Sequence, residues 1–206
     1  MDLFEAIHSQ RAMRRLKTDP IPDDLIWKLL DAAIRAPSGG NQQPWNFIVL
    51  RDLDARTKIA KWYLDSWIDD YGQIQDAGRD NLALARVFAS ADHLANHLAE
   101  VPVLIIGTIR NTGSAGVLSG ASIYPAIQNL MLAARALGLG TTLTTRFRSR
   151  EAEIKQLLGI PMEVNIMALV PVGWPKGKFG AGPRLPAAEV TYWDKWGSTR
   201  QRSTPR

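Results

Sequence analysis

Apolar residues Leu3, Phe4, Ala6 and Ile7 follow Asp2, a residue suited to accept from the free N–H groups of a helix start, and predict a first helix reaching about Gln10. A second helix is expected where Pro22 takes the first helical position and Asp23 and Asp24 complement the helix dipole. Leu25, Leu29, Leu30, Ala33 and Ile34 continue it at helical spacing, and Pro37 ends it. Phe47 to Leu50 is a short apolar run between turn residues and charges, which reads as a buried strand. Residues 54–98 are expected to be largely helical, with an interruption near Tyr71 and Gly72.

Pro102 closes that region, and Val103 to Ile106 give a second buried strand. From about Ser119 to Leu137, apolar residues at 123, 127, 130, 131, 134 and 137 keep the helical period. Ala121, Ala126, Ala133 and Ala136 fill other positions, as in a helix buried on most sides. Gly138-Leu139-Gly140 supplies a stop, and Thr141 to Thr145 predicts a third strand. Glu151 to Leu158 reads as a short helix and Asn165 to Val172 as a fourth strand. Beyond the loop Pro175 to Pro186, the alternation of Glu189 to Trp193 predicts one more strand, tethered loosely enough to reach a neighbouring subunit's sheet edge as easily as its own. Helices and strands therefore share one domain over residues 1–194, followed by a basic tail at 195–206 expected to be flexible.

Composition narrows the chemistry. The chain of 206 residues, 46% hydrophobic, is large enough to bury a core without disulfides or structural metal. With no cysteine there is no disulfide framework, thiolate metal site, iron–sulfur ligation or thiol catalysis, so redox chemistry needs a borrowed cofactor. A start without a positive region ahead of an apolar run, and no long apolar window, lead us to expect a soluble, unprocessed, cytoplasmic protein. The net charge of +5 sits mostly in the tail, where residues 195–206 hold Lys195, Arg200, Arg202 and Arg206 and no acidic residue. The body shows no basic stripe interleaved with aromatics, which argues against nucleic acid as a partner.

Several segments carry candidate chemistry. Arg11 and Arg14 can converge on one anion if the first helix loosens before them, each offering bidentate geometry to phosphate. In Pro37-Ser38-Gly39-Gly40-Asn41-Gln42-Gln43-Pro44-Trp45, two prolines bracket small and amide residues. Such a loop either matches the edge of a planar heterocycle or merely connects a helix to a strand over a buried Trp. Gly138-Leu139-Gly140-Thr141-Thr142 lacks the Lys of a P-loop and the third Gly of a dinucleotide fingerprint; its glycines permit close backbone approach to a flat ring. Arg184, ahead of Leu185-Pro186, can bring another cation to a phosphate. His93 and His97 are spaced for one helix face but lack the HExxH pattern, so no metal is expected, and Ser114 and Ser119 do not form GxSxG.

Taken in order, Arg11-Ala12-Met13-Arg14-Arg15, the loop from Pro37 to Trp45, Gln128-Asn129-Leu130 through Gly138-Leu139-Gly140-Thr141-Thr142, and Gly173-Trp174-Pro175 with Arg184-Leu185-Pro186 resemble the nitroreductase family. The resemblance spans nearly the whole chain. It implies an α+β fold with a mostly antiparallel central sheet flanked by helices, a C-terminal strand exchanged in a homodimer, and FMN held between subunits. By motif position, Arg11 and Arg184 would neutralise the FMN phosphate, with Arg14 near the phosphate or the pyrimidine edge and Ala12 and Met13 in the same cofactor-binding segment. Pro37, Ser38, Gly39 and Asn41 would approach from the partner subunit, and Thr142, Leu143 and Thr144 would line the other side. Ala12 stands where many relatives carry Ser, so one hydrogen bond is absent or supplied otherwise.

The activity implied is ping-pong hydride transfer from NAD(P)H through FMN to a small, aromatic acceptor, a nitro compound or quinone, with no catalytic side chain required. Alternatives are an oxygen-dependent flavin-fragmenting or reductive dehalogenating enzyme of the same family, and a flavin-sequestering protein without turnover. Acceptor choice is expected to lie between Trp62 and Arg86, where Trp62, Tyr63, Trp67 and Tyr71 form either a lid or part of the core.

Overall fold

The computed structural model describes residues 1–74, 81–110 and 117–200, with the backbone alone at 71–74 and 117–119. Helix α1 spans Leu3–Ser9, and the Asp2 carboxylate accepts from the Phe4 and Glu5 amides as expected of its cap. Helix α2, Asp23–Ala33, begins one residue later than anticipated, with Pro22 just outside the first turn. Strand β1 (Trp45–Leu50) leads into α3 (Leu53–Ile74), α4 (Leu82–His97), β2 (Val103–Arg110) and α5 (Val117–Ala136). Strand β3 (Gly140–Thr141), α6 (Glu151–Leu158) and β4 (Val164–Gly173) complete the core.

The four strands form one sheet in the order β1-β2-β4-β3, every pair antiparallel, so the fold is α+β. Alternation along β2 sends Leu104 and Ile106 to the face covered by α3, α4 and α6, and Val103, Ile105 and Ile109 to the face covered by α2 and α5. In β4 the register runs from Ala168 opposite Gly107 to Ile166 opposite Thr108, leaving Met167 as an extra residue. That bulge switches which positions face which layer: Val164 and Ile166 join the first layer, Ala168, Val170 and Val172 the second. Gly107 lets α5 close on the sheet, since a Cβ there would lie 2.8 Å from Ile127 Cδ1. Helix α5 buries Ile123, Ala126, Ile127, Leu130 and Ala134 completely, which offsets the hydrogen bond lost at Pro125.

Three expectations are corrected. Helix α3 runs straight through Gly72 to Ile74 instead of breaking there. The third strand is shorter than Thr141–Thr145: after Thr141 it resumes only as an isolated bridge between Thr144 and Leu169. The shared register places Thr142 opposite Pro171, which has no N–H to donate, so the ladder is interrupted at that point. No strand forms at Glu189–Trp193. Pro186 instead leads into a 3-10 turn at Ala187–Val190, whose residues are exposed and pair with no sheet edge of their own chain. Residues 193–198 close on themselves through Trp193 N–H to Ser198 O at 2.7 Å, and the Arg200 guanidinium lies 4.4 Å above the Trp193 ring.

Candidate functional site

Between α1 and α2 the chain is extended, and it lies along the end of the sheet. Ala12 bridges Thr141 in parallel, and the Met13 amide donates to the Thr141 carbonyl at 2.8 Å. Further along, Leu16 bridges Pro175, the Lys17 amide donates to Trp174 O at 2.7 Å, and the Lys176 amide donates to Arg15 O at 2.9 Å. Two glycines make this close approach feasible. A Cβ on Gly140 would come within 2.8 Å of Leu16 Cδ2 and 2.9 Å of Met13 Cβ, and one on Gly173 within 2.9 Å of Leu16 Cβ. Gly140 therefore receives its own chain, not a flat ring, and Gly138, at φ +79°, is the left-handed stop after α5.

This docking buries Met13 and Leu16 and leaves the arginines beside them with different surroundings. The exposed Arg11 donates through Nη2 to Lys178 O at 3.0 Å, and Arg15 Nη1 meets His93 Nδ1 at 3.3 Å. Arg14 is half-buried, yet its guanidinium forms no hydrogen bond or ion pair among the described residues. Burial holds its pKa below the ordinary value, only partly countered by the electrostatic influence of the nearby Tyr63. A desolvated cation without a counter-ion is costly in a folded protein, so this position favours an incoming anion or a hydrogen-bond acceptor.

Thr142 is buried, and Leu143 and Thr144 are half-buried, next to the Thr141 to which the arginine segment is bonded. Thr144 exchanges two 3.0 Å backbone bonds with Leu169, and its hydroxyl meets the Tyr63 hydroxyl at 3.2 Å. Helix α3 backs this stretch further: Ser66 bonds Ser149 at 2.7 Å, and Arg146 pairs with Asp70 while its guanidinium lies 5.0 Å from the Trp67 ring. Tyr63 and Trp67, each 4% exposed, are thus core residues and not a lid, and Trp62 packs half-buried against the same core. The side chain of Tyr71 and much of the stretch up to Arg86 lie outside the described residues.

The loop from Pro37 to Gln43 stands apart. Pro37, Gly39 and Asn41 are exposed and Ser38 half-exposed, and no hydrogen bond among the described residues joins the loop to the arginine segment. Ser38 Oγ accepts from the Gln43 amide at 3.0 Å, and Gln43 Nε2 donates to Asn41 Oδ1 at 3.2 Å. Asn41 and Gln43 both hold positive φ, at 53° and 49°, a conformation uncommon outside glycine. Pro44 and Trp45 beyond it are buried, so the loop is both a connection over a buried Trp and a preformed display of amides. Arg184 is not joined to Arg11 or Arg14; its Nη1 donates to the neighbouring Pro183 carbonyl at 2.8 Å.

One supporting residue escaped the sequence reading, and another was named there only as lid or core. Arg135, which looks like an ordinary basic residue in the last turn of α5, donates through Nε to Ser9 Oγ at 2.8 Å and lies 4.2 Å above the Phe179 ring. It thereby ties α1 to the loop whose Lys178 carbonyl holds Arg11. Tyr63 gave no signal beyond being an aromatic helix residue. His93 and His97 stack at 4.2 Å and His97 meets Glu100 at 2.7 Å, but no three His, Asp or Glu side chains are placed to hold a metal among the described residues. No helix among them is long and apolar enough to cross a membrane.

The fold is thus α+β, an antiparallel sheet with, beside its end, a half-buried arginine that has no hydrogen bond or ion pair among the described residues. Residues 7–174 match the nitroreductase family, and the chain belongs to that family of oxidoreductases. It is similar to a Methanothermobacter thermautotrophicus protein whose provisional name is NADH dehydrogenase/NAD(P)H nitroreductase, with 30% identity over 85% of this chain and 78% of the relative. It is likewise similar to the 5,6-dimethylbenzimidazole synthase of Rhodospirillum rubrum, with 30% identity over 81% of this chain and 79% of that one. Among solved structures, iodotyrosine deiodinase bound to FMN and 3-iodo-L-tyrosine superposes with a TM-score of 0.72 at 25% identity, covering 100% of this chain and 98% of the other.

Proposed function

We propose that this protein is an FMN-dependent oxidoreductase that carries hydride from NAD(P)H to a small aromatic acceptor, a nitro compound or quinone, by a ping-pong sequence. The observation that carries the reading is the half-buried Arg14 guanidinium, desolvated and without a partner among the described residues, within the span that matches the family. Bound FMN supplies the two-electron chemistry, so the protein supplies position and charge. Arg11 and Arg184 would hold the phosphate, and Arg14 would lie near the phosphate or the pyrimidine edge, where its charge would favour the reduced, anionic ring. Ala12 and Met13 set the segment's path, because the Met13 side chain and amide are already engaged within the chain. Thr142, Leu143 and Thr144 form the wall beside it.

The same reading makes the working unit a homodimer. Pro37, Ser38, Gly39 and Asn41 display their amides on a loop that has no hydrogen bond to an arginine among the described residues, which suits delivery to a second subunit. Leu3, Phe4 and Ile7 on α1, Trp27 on α2 (64% exposed) and Trp196 (89% exposed) are apolar side chains left open in one chain. Among the described residues strand β1 pairs only with β2, which leaves an edge that the partner's Glu189–Trp193 can extend. The absence of cysteine suits a reducing cytoplasm.

Equilibrium FMN binding to the Arg11→Ala/Arg184→Ala double variant tests the phosphate assignment. Each charge-assisted contact contributes on the order of 1.5–3 kcal/mol, so affinity drops at least tenfold. Unchanged affinity rejects it. Product analysis under air separates acceptor reduction from flavin fragmentation, and incubation with a halogenated phenol separates it from dehalogenation.

A further inference from the structure

The Tyr63 phenol is almost fully buried, and its hydroxyl has one hydrogen-bond partner among the described residues, Thr144 Oγ1 at 3.2 Å. A buried hydroxyl needs an acceptor for its proton, and Thr144 Oγ1 is the acceptor that the described residues offer it. The bond therefore runs from Tyr63 to Thr144. Thr144 Oγ1 also receives the Arg146 amide at 3.4 Å, so both of its acceptor directions are taken from within the chain. What remains to Thr144 is its own proton. Thr144 is half-buried and its backbone is fixed by the paired bonds to Leu169, so that proton is left for an acceptor outside these bonds.

We infer that Tyr63 is a positioning residue for the cofactor site: by donating to Thr144 Oγ1 it turns the Thr144 hydroxyl into a fixed donor aimed at the bound ring. This rests on the FMN reading above. Tyr63 comes from α3, outside every segment that pointed to the cofactor, and it couples that helix to the wall of the site. Without it the Thr144 hydroxyl rotates freely, and part of the ring's hydrogen bonding is lost to reorganisation.

The test is equilibrium FMN binding to the wild-type protein, Tyr63→Phe, Thr144→Val, the double variant and Thr144→Ser. Each of the first two single variants binds FMN about fivefold more weakly, the size of one neutral hydrogen bond. The double variant binds no more weakly than either, because the two hydroxyls act as one unit. Thr144→Ser keeps the hydroxyl and binds as wild type, and Tyr63→Phe and Thr144→Val displace the flavin absorbance band alike. Independent losses that multiply to about 25-fold overturn the inference. If Tyr63→Phe does not fold, Thr144→Val against Thr144→Ser still decides, equal affinity of the two overturning it. Wild-type protein that takes up no FMN overturns the cofactor reading itself, a result separate from any coupling between the hydroxyls.

Discussion

The Met13 amide and the Thr141 carbonyl lie 2.8 Å apart, and this bond sets the arginine segment against the wall of the site. It depends on a glycine next to Thr141. Gly140→Ala puts a Cβ within 2.9 Å of both Leu16 Cδ2 and Met13 Cβ; the Leu16 methyl can rotate aside, but Met13 Cβ cannot yield without moving the segment. Overpacking of this kind costs about 1–3 kcal/mol. Thermal denaturation of the variant shows a fall of several degrees, together with weaker FMN binding; a variant that melts and binds as wild type contradicts the docking described.

Arg14→Met separates stability from function. Removing a desolvated cation that has no partner among the described residues relieves a burial penalty, while the thioether keeps much of the side chain's volume. The cofactor-free variant melts at or above the wild-type temperature, and FMN affinity falls about tenfold or more. Joint loss of stability and affinity would make Arg14 a structural residue instead.

Much of this arrangement was legible in the chain. Periodicity placed α1, α2, α5, α6 and the strands β1, β2 and β4, because their patterns are long or sharply bounded. The end of β3 was not legible, since it depends on Pro171 standing opposite Thr142, a pairing fixed by register and not by local propensity. Glu189–Trp193 alternates like a strand, but alternation supplies no sheet edge, and in one chain Pro186 starts a 3-10 turn instead. Arg11 and Arg14 stood out by type and spacing. The difference between them, one bonded to a carbonyl and one unpaired, came from tertiary packing, as did the Tyr63 and Arg135 contacts.

Arg135→Ala removes the stacking on Phe179 and the bond to Ser9, and so frees the loop that holds Arg11. The expected result is a loss of about 1–2 kcal/mol in unfolding free energy and faster proteolysis within residues 175–186. Arg135→Lys keeps the charge but not the planar stack, and recovers the loss only in part. Limited proteolysis unchanged in Arg135→Ala would show that the loop is held by other contacts.

His93 gives a pH signature. Burial, and the positive charges of Arg15, His97 and Lys176, hold its imidazole below the ordinary value of 6.5, with Glu100 opposing them. The folded state therefore takes up this proton less readily than the unfolded chain, and stability falls as pH drops through about 6.5, levelling below the folded-state value. Glu100, held low first by its hydrogen bond to His97, loses its contribution only at more acidic pH. His93→Gln keeps an acceptor for Arg15 and flattens the melting temperature between pH 7 and pH 5; an unchanged slope would assign the acid sensitivity elsewhere.

The central claim is tested most directly by anaerobic absorbance titration of FMN-reconstituted protein with NADPH and then NADH, followed by a quinone or nitroaromatic. The account predicts that the flavin band bleaches with a nicotinamide donor and returns on adding acceptor. Flavin that binds but is never bleached by either donor, or protein that takes up no FMN, contradicts it.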